Sequence, residues 1–159
     1  MQWDKISDII LISSLAVLAV FAILGLLQLF SRKSLKKVDP ELTWMMFPLT
    51  LMAITYYIFD HFLIWNTRPN GSGEPSFPST HAMVVATIFL LVAIALPKYV
   101  KSKIACFIVD ILMLALAALV CIGRVAANMH WISDVVGGVA FAAIFAVIYY
   151  LIIRRYKNA

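Results

Sequence analysis

At 159 residues the chain has the length of one domain, yet 64% of it is hydrophobic and only 13% is charged. Soluble domains stand at roughly half and a quarter, so this composition excludes one and predicts an all-α integral membrane protein. The net charge of +5 does not point to nucleic acid, because the lysines and arginines lie in short segments between hydrophobic runs and form no aromatic-interleaved basic face.

The first hydrophobic run, about residues 6–30, is long enough to cross a bilayer. Asp4, Lys5 and Asp8 precede or open it and Ser31-Arg32-Lys33 follows, a pattern that predicts a retained helix rather than a cleaved leader. A basic connector with Arg32, Lys33, Lys36 and Lys37 leads to a second span over about 43–64. Asp60 and His61 stand at its far end, before a loop rich in turn formers, Asn70, Gly71, Ser72, Gly73, Pro75 and Ser76. The third span, about 80–96, stops at Pro97, and Lys98, Lys101 and Lys103 form the next connector. A fourth span over about 104–122 holds Cys106 and Cys121, which one straight helix keeps about 22 Å apart, too far to pair. A short loop carries Arg124 to Trp131, and a fifth span, about 132–153, ends in Arg154, Arg155 and Lys157.

The charges orient this five-helix bundle. The connectors after spans one and three and the tail after span five carry four, three and three basic residues, while the other two loops carry one arginine each. The positive-inside tendency then puts the N-terminus outside and the C-terminus in the cytoplasm of a cell-membrane protein. Residues 1–159 are read as a single membrane-embedded domain.

Two polar islands fall on the same, outer face in this topology: Arg68-Pro69 with Pro78-Ser79-Thr80-His81, and Gly123-Arg124-x5-His130-x3-Asp134. Ionisable groups beside membrane helices are costly and are functional candidates by default. His130 and Asp134 are four apart and share a face if the helix begins before them; a carboxylate on one imidazole nitrogen frees the other as base or nucleophile. Arg68 and Arg124 have forks that match phosphate oxygens. Ser79 adds a hydroxyl, the start of span three offers free backbone N–H groups, and His81 is placed to donate a proton to a leaving oxygen. An anion pocket with a nucleophile and an acid suits phosphoryl transfer.

These residues resemble the three signature motifs of the type 2 phosphatidic acid phosphatase superfamily. The resemblance covers 60–138 and says little about span one. It implies that His130 is the nucleophile, forming a phosphohistidine that Asp134 orients, and that His81 protonates the leaving group. It also implies that Arg68, Arg124, Ser79 and the Thr80 amide bind phosphoryl oxygens, with no metal and no other cofactor. Two positions depart from the family pattern: His61 stands where the first motif has a lysine, and Thr80 where the second has a glycine. At the lysine's position His61 is expected to contact phosphate with one neutral donor in place of a fixed charge.

The expected activity is release of phosphate from a lipid phosphate or diphosphate at the outer leaflet. Undecaprenyl diphosphate, a cell-wall carrier lipid, leads; phosphatidic acid, phosphatidylglycerophosphate and a lipid A phosphate are the alternatives. A protein that only binds lipid phosphate is the reading from another class, supported by the missing lysine. A metal site from His81, His130 and Asp134 is disfavoured by the two arginines beside it, and a serine hydrolase by the closeness of Ser79 to His81 at a helix start.

Overall fold

The computed structural model describes residues 2–157, all helix and connecting loop apart from one isolated bridge between Thr67 and Pro75. The order is α1 (Gln2–Arg32), a 3-10 turn (Leu35–Lys37), α2 (Pro40–Thr43), α3 (Met46–His61), α4 (Thr80–Ala95), a second 3-10 turn (Leu96–Lys98), α5 (Lys103–Ala126) and α6 (Ile132–Lys157). Five stretches are long and apolar enough to cross a membrane, α2 and α3 together making the second. The five-helix expectation therefore holds, with three adjustments at the ends.

First, α1 starts at Gln2 and so takes Asp4 and Asp8 into the helix. Second, the second span is two helices: Pro40 opens α2, whose hydrogen-bonding breaks at Trp44 and Met45 before α3. Third, α5 continues to Ala126 and takes Arg124 out of the expected loop. It stops where Asn128 adopts a left-handed backbone (φ 58°), the usual conformation that closes a helix.

The helices are arranged around α4, which packs against α1, α3, α5 and α6. Its sequence is apolar on all sides, and Met83, Val85, Ile88, Leu91 and Ala95 have essentially no exposed surface. The surrounding helices are buried on the faces they turn to α4 and to one another. Their outward faces carry Ile9, Phe30, Phe107, Leu114, Ile132 and Leu151, an apolar exterior suited to lipid.

The ends of the bundle hold two separate sets of loops. At one end the connector 33–39 meets Tyr99 and the end of α1, and Lys157 of α6 reaches Glu41 of α2. At the other end the long loop 62–79 folds over the short loop 127–131, with the Trp131 indole N–H donating to the Thr67 carbonyl at 2.9 Å. Both polar islands lie at this second end.

Candidate active site

His130 is 4% exposed and lies just before α6, which begins at Ile132, so it and Asp134 are not on one helix face. Its backbone N–H donates to the Arg124 carbonyl at 3.3 Å. Nδ1 lies 2.8 Å from the Ser76 carbonyl. A carbonyl only accepts, so Nδ1 carries the proton and Nε2 keeps its lone pair. Asp134 Oδ2 stands 3.9 Å from Nδ1, outside hydrogen-bond reach, and takes the Ser76 hydroxyl and the Trp131 N–H (2.9 Å). The carboxylate thus orients the imidazole through Ser76 and closes the first turn of α6, much as an acid three residues into a helix does in a capping box. Ser76 is buried and joins both residues, a role its place in a turn-rich loop did not suggest.

Burial, and then the Arg124 guanidinium, push the His130 imidazole down from the usual 6.5 to about 4; Arg68 adds to this, while the Ser76 carbonyl and Asp134 oppose it. A neutral His130 at physiological pH is the form a nucleophile needs.

The start of α4 is pressed against α6. The Ser79 N–H donates to the Asp134 carbonyl at 2.9 Å, and Gly138 lies so close that a Cβ there would come within 2.7 Å of the Ser79 carbonyl. At Gly137 a Cβ would strike the Phe77 ring. The glycine pair is therefore what lets the second motif reach the third. Ser79 is the N-cap of α4, yet its buried hydroxyl has no hydrogen-bond partner among the described residues.

A cavity of about 230 Å³ opens here. Arg68, His81 and His130 stand in its wall with Asp60 and Thr80, and Leu11, Tyr56 and Phe59 make its apolar side. Arg68 pairs with Glu74 across its own loop at 2.9 Å rather than with Asp60. Arg124 is 2% exposed, donates from one terminal nitrogen to Asp4 at 2.6 Å, and has a buried Nε without a partner among the described residues. His81 Nε2 lies 2.9 Å from Asp8 Oδ1. These two carboxylates come from α1, the helix on which the motifs are silent. A signal was present: Asp4 and Asp8 are four apart and share a helix face at the end of the span that carries the site.

His61 does not join this group. It is half exposed, stacks on Tyr57 with ring centroids 4.5 Å apart, holds the Tyr57 carbonyl at 3.2 Å, and is absent from the cavity wall. The neighbouring Asp60 faces the cavity instead. Among the described residues no group of three His, Cys, Asp or Glu side chains is placed to hold a metal ion. Cys106 and Cys121 are both free thiols.

The family model described as the PAP2 superfamily matches residues 57–157. The chain belongs to that superfamily. Its matched part begins in α3 and takes in every motif residue, whereas α1 and most of the second span lie outside it. A search of curated protein sequences gives no match. Among solved structures, the chain resembles the crystal structure of the first transmembrane PAP2 type phosphatidylglycerolphosphate phosphatase from Bacillus subtilis. The TM-score is 0.69 at 22% identity, over 98% of this chain and 75% of that one, a likeness of fold. Membership and fold together support a membrane phosphatase acting on a lipid phosphate.

Proposed function

We propose that this PAP2 protein is a lipid phosphate phosphatase that works through a phosphohistidine on His130. The observation that carries the reading is the fixed tautomer of a buried imidazole in a cavity wall with arginine beside it: Nδ1 is tied to Ser76, so Nε2 is the nitrogen left to attack. Arg68, Arg124, the Ser79 hydroxyl and the Thr80 amide surround the phosphoryl oxygens. Ser79 Oγ and Arg124 Nε are buried groups without partners among the described residues, each costing roughly 1–3 kcal/mol when left so. Neither lines the cavity wall itself, and a phosphoryl group seated deeply enough to reach them satisfies both.

In this reading His130 Nε2 attacks phosphorus, His81 protonates the departing lipid oxygen, and water then releases phosphate from the histidine. All charge stabilisation comes from the arginines, the hydroxyl and the helix N-terminus, without a metal or other cofactor. His61 stands away from the cavity, so the lysine missing from the first motif leaves Arg68 in the cavity wall, and the buried Arg124 outside that wall, as the fixed positive charges of the site.

The basic connectors lie at the end of the bundle opposite the site, which supports a cytoplasmic C-terminus, an N-terminus outside and a site open to the outer leaflet of the cell membrane. For substrate, undecaprenyl diphosphate fits a shallow pocket between helices that receives its headgroup straight from the bilayer. Phosphatidylglycerophosphate is the second reading, favoured by the likeness of fold to a phosphatidylglycerolphosphate phosphatase. Phosphate release by purified protein from these two lipids, phosphatidic acid and lipid A, with chelator present, tests the proposal. Release that ranks one lipid first and survives chelation supports it; an intact, folded protein that releases phosphate from none would make it a binding protein.

A further inference from the structure

We propose that Asp8 of α1 is a positioning residue for His81, holding the proton donor in the orientation that serves the leaving group. The inference rests on the reading above, in which His81 is that donor, and adds a residue outside the stretch 57–157.

The placement of Asp8 follows from helix packing. α1 packs against both α4 and α5. Its contact with α5 is made at Gly123, where a Cβ would meet Ser7 Oγ at 2.6 Å and the Trp3 carbonyl at 3.3 Å. Ser7 is fully buried, and its hydroxyl turns back to the Trp3 carbonyl (2.9 Å). A glycine opposite a serine fixes the register of the two helices at close approach. That register sets Asp4 against Arg124 and, one turn further on, Asp8 against His81. Leu11, a turn later, lines the cavity.

The bond itself defines a role. Asp8 Oδ1 lies 2.9 Å from His81 Nε2, and an ionised carboxylate only accepts, so Nε2 carries a hydrogen. The second proton of an imidazolium then sits on Nδ1, the ring nitrogen without a partner among the described residues, in a side chain that lines the cavity. The charged and titratable groups around His81 are Asp4 and Asp8 on α1, Arg124 on α5, Tyr56 and Asp60 on α3, and Arg68 and His130 in the same cavity. Asp8 alone among them bonds the ring.

In the transfer step His130 Nε2 forms the bond to phosphorus while the bond from phosphorus to the lipid oxygen breaks. The Nδ1 proton of His81 passes to that oxygen, and His81 is left neutral with its Nε2–H still on Asp8. When water attacks the phosphohistidine, one of its protons returns to His81 Nδ1 and the phosphorus–nitrogen bond breaks.

A donor matters most for a poor leaving group, and this supplies the test. Wild type, Asp8→Asn, His81→Ala and the double variant are assayed as full-length protein on an alkyl lipid phosphate and on 4-nitrophenyl phosphate. Asp8→Asn is expected to lower kcat on the lipid by about 10-fold to 100-fold and on the aryl ester by less than about threefold. The double variant is expected to be no slower than His81→Ala. Aryl turnover also reports that each variant is folded. Equal losses on both substrates, no loss on either, or losses that multiply in the double variant would overturn the role of Asp8. A wild type inactive on both esters, or an unaffected His81→Ala, would instead overturn the reading of the site beneath it.

Discussion

The two ends of this bundle use similar residues for opposite purposes. At the end away from the site, Gln28 donates to Asp39 (2.8 Å), Arg32 pairs with it (3.0 Å), and the Tyr99 hydroxyl reaches it (3.3 Å). Lys157 faces the buried Glu41 at 3.1 Å, and Tyr149 donates to the Glu41 carbonyl. These contacts tie α1, the connector, α2 and α6 together; the Glu41 carboxylate oxygens are buried there without a hydrogen-bond partner among the described residues, but they are acceptors that face the Lys157 ammonium. At the other end Ser79 Oγ and Arg124 Nε are buried without partners among the described residues, and Arg68, His81 and His130 border a cavity. Charge alone does not separate a clamp from a site. What separates them is donor capacity left open beside space for a ligand.

That contrast can be broken by substitution. Arg124→Ala should lower kcat/KM by about 10²-fold to 10³-fold, the loss expected when a preorganised donor to developing charge is removed. Kinetics on any lipid substrate that is turned over would check it, and a loss below about fivefold would remove Arg124 from the site. Next comes pH. Because burial and Arg124 hold His130 down at about 4, its neutral form persists on acidification. The acid limb of kcat/KM should have its midpoint near 4 and fall about tenfold per unit below it; a midpoint at an ordinary histidine value would contradict the neutral, buried nucleophile. Asp39→Ala at the closed end should cost about 1–3 kcal/mol of stability, read as a lower Tm in detergent, and leave kcat unchanged. His61→Ala should do least, changing KM by less than about twofold. A large rise in KM would bring His61 back to the phosphate.

Much of this was legible in the chain. Length, hydropathy and the alternation of basic connectors give five spans, and the two polar islands with their three motifs give Arg68, Ser79, His81, Arg124, His130 and Asp134, all of which gather at one end. The partners were not legible. Asp4 meets Arg124 across 120 positions and Asp8 meets His81 across 73; the spacing of the two aspartates marks a shared helix face, but what that face meets depends on how α1 docks. The i,i+4 spacing of His130 and Asp134 suggested a direct pair, but α6 starts after His130, and Ser76 comes between them. His61 occupied the motif position of a lysine, yet a short imidazole that stacks on Tyr57 at the end of α3 is turned away from the cavity. Motif spacing identifies which residues share a site, and packing decides which of them touch.

The central claim is a covalent phosphate on His130. Wild type mixed with a lipid phosphate labelled with ³²P and stopped in alkali within milliseconds should carry label that is stable to base, lost in acid, and located on the peptide containing His130. His130→Ala, folded as judged by its elution and Tm, should carry none and release no phosphate. Label that persists in the His130→Ala variant, or full phosphate release without any labelled wild-type protein at any time, would contradict the account.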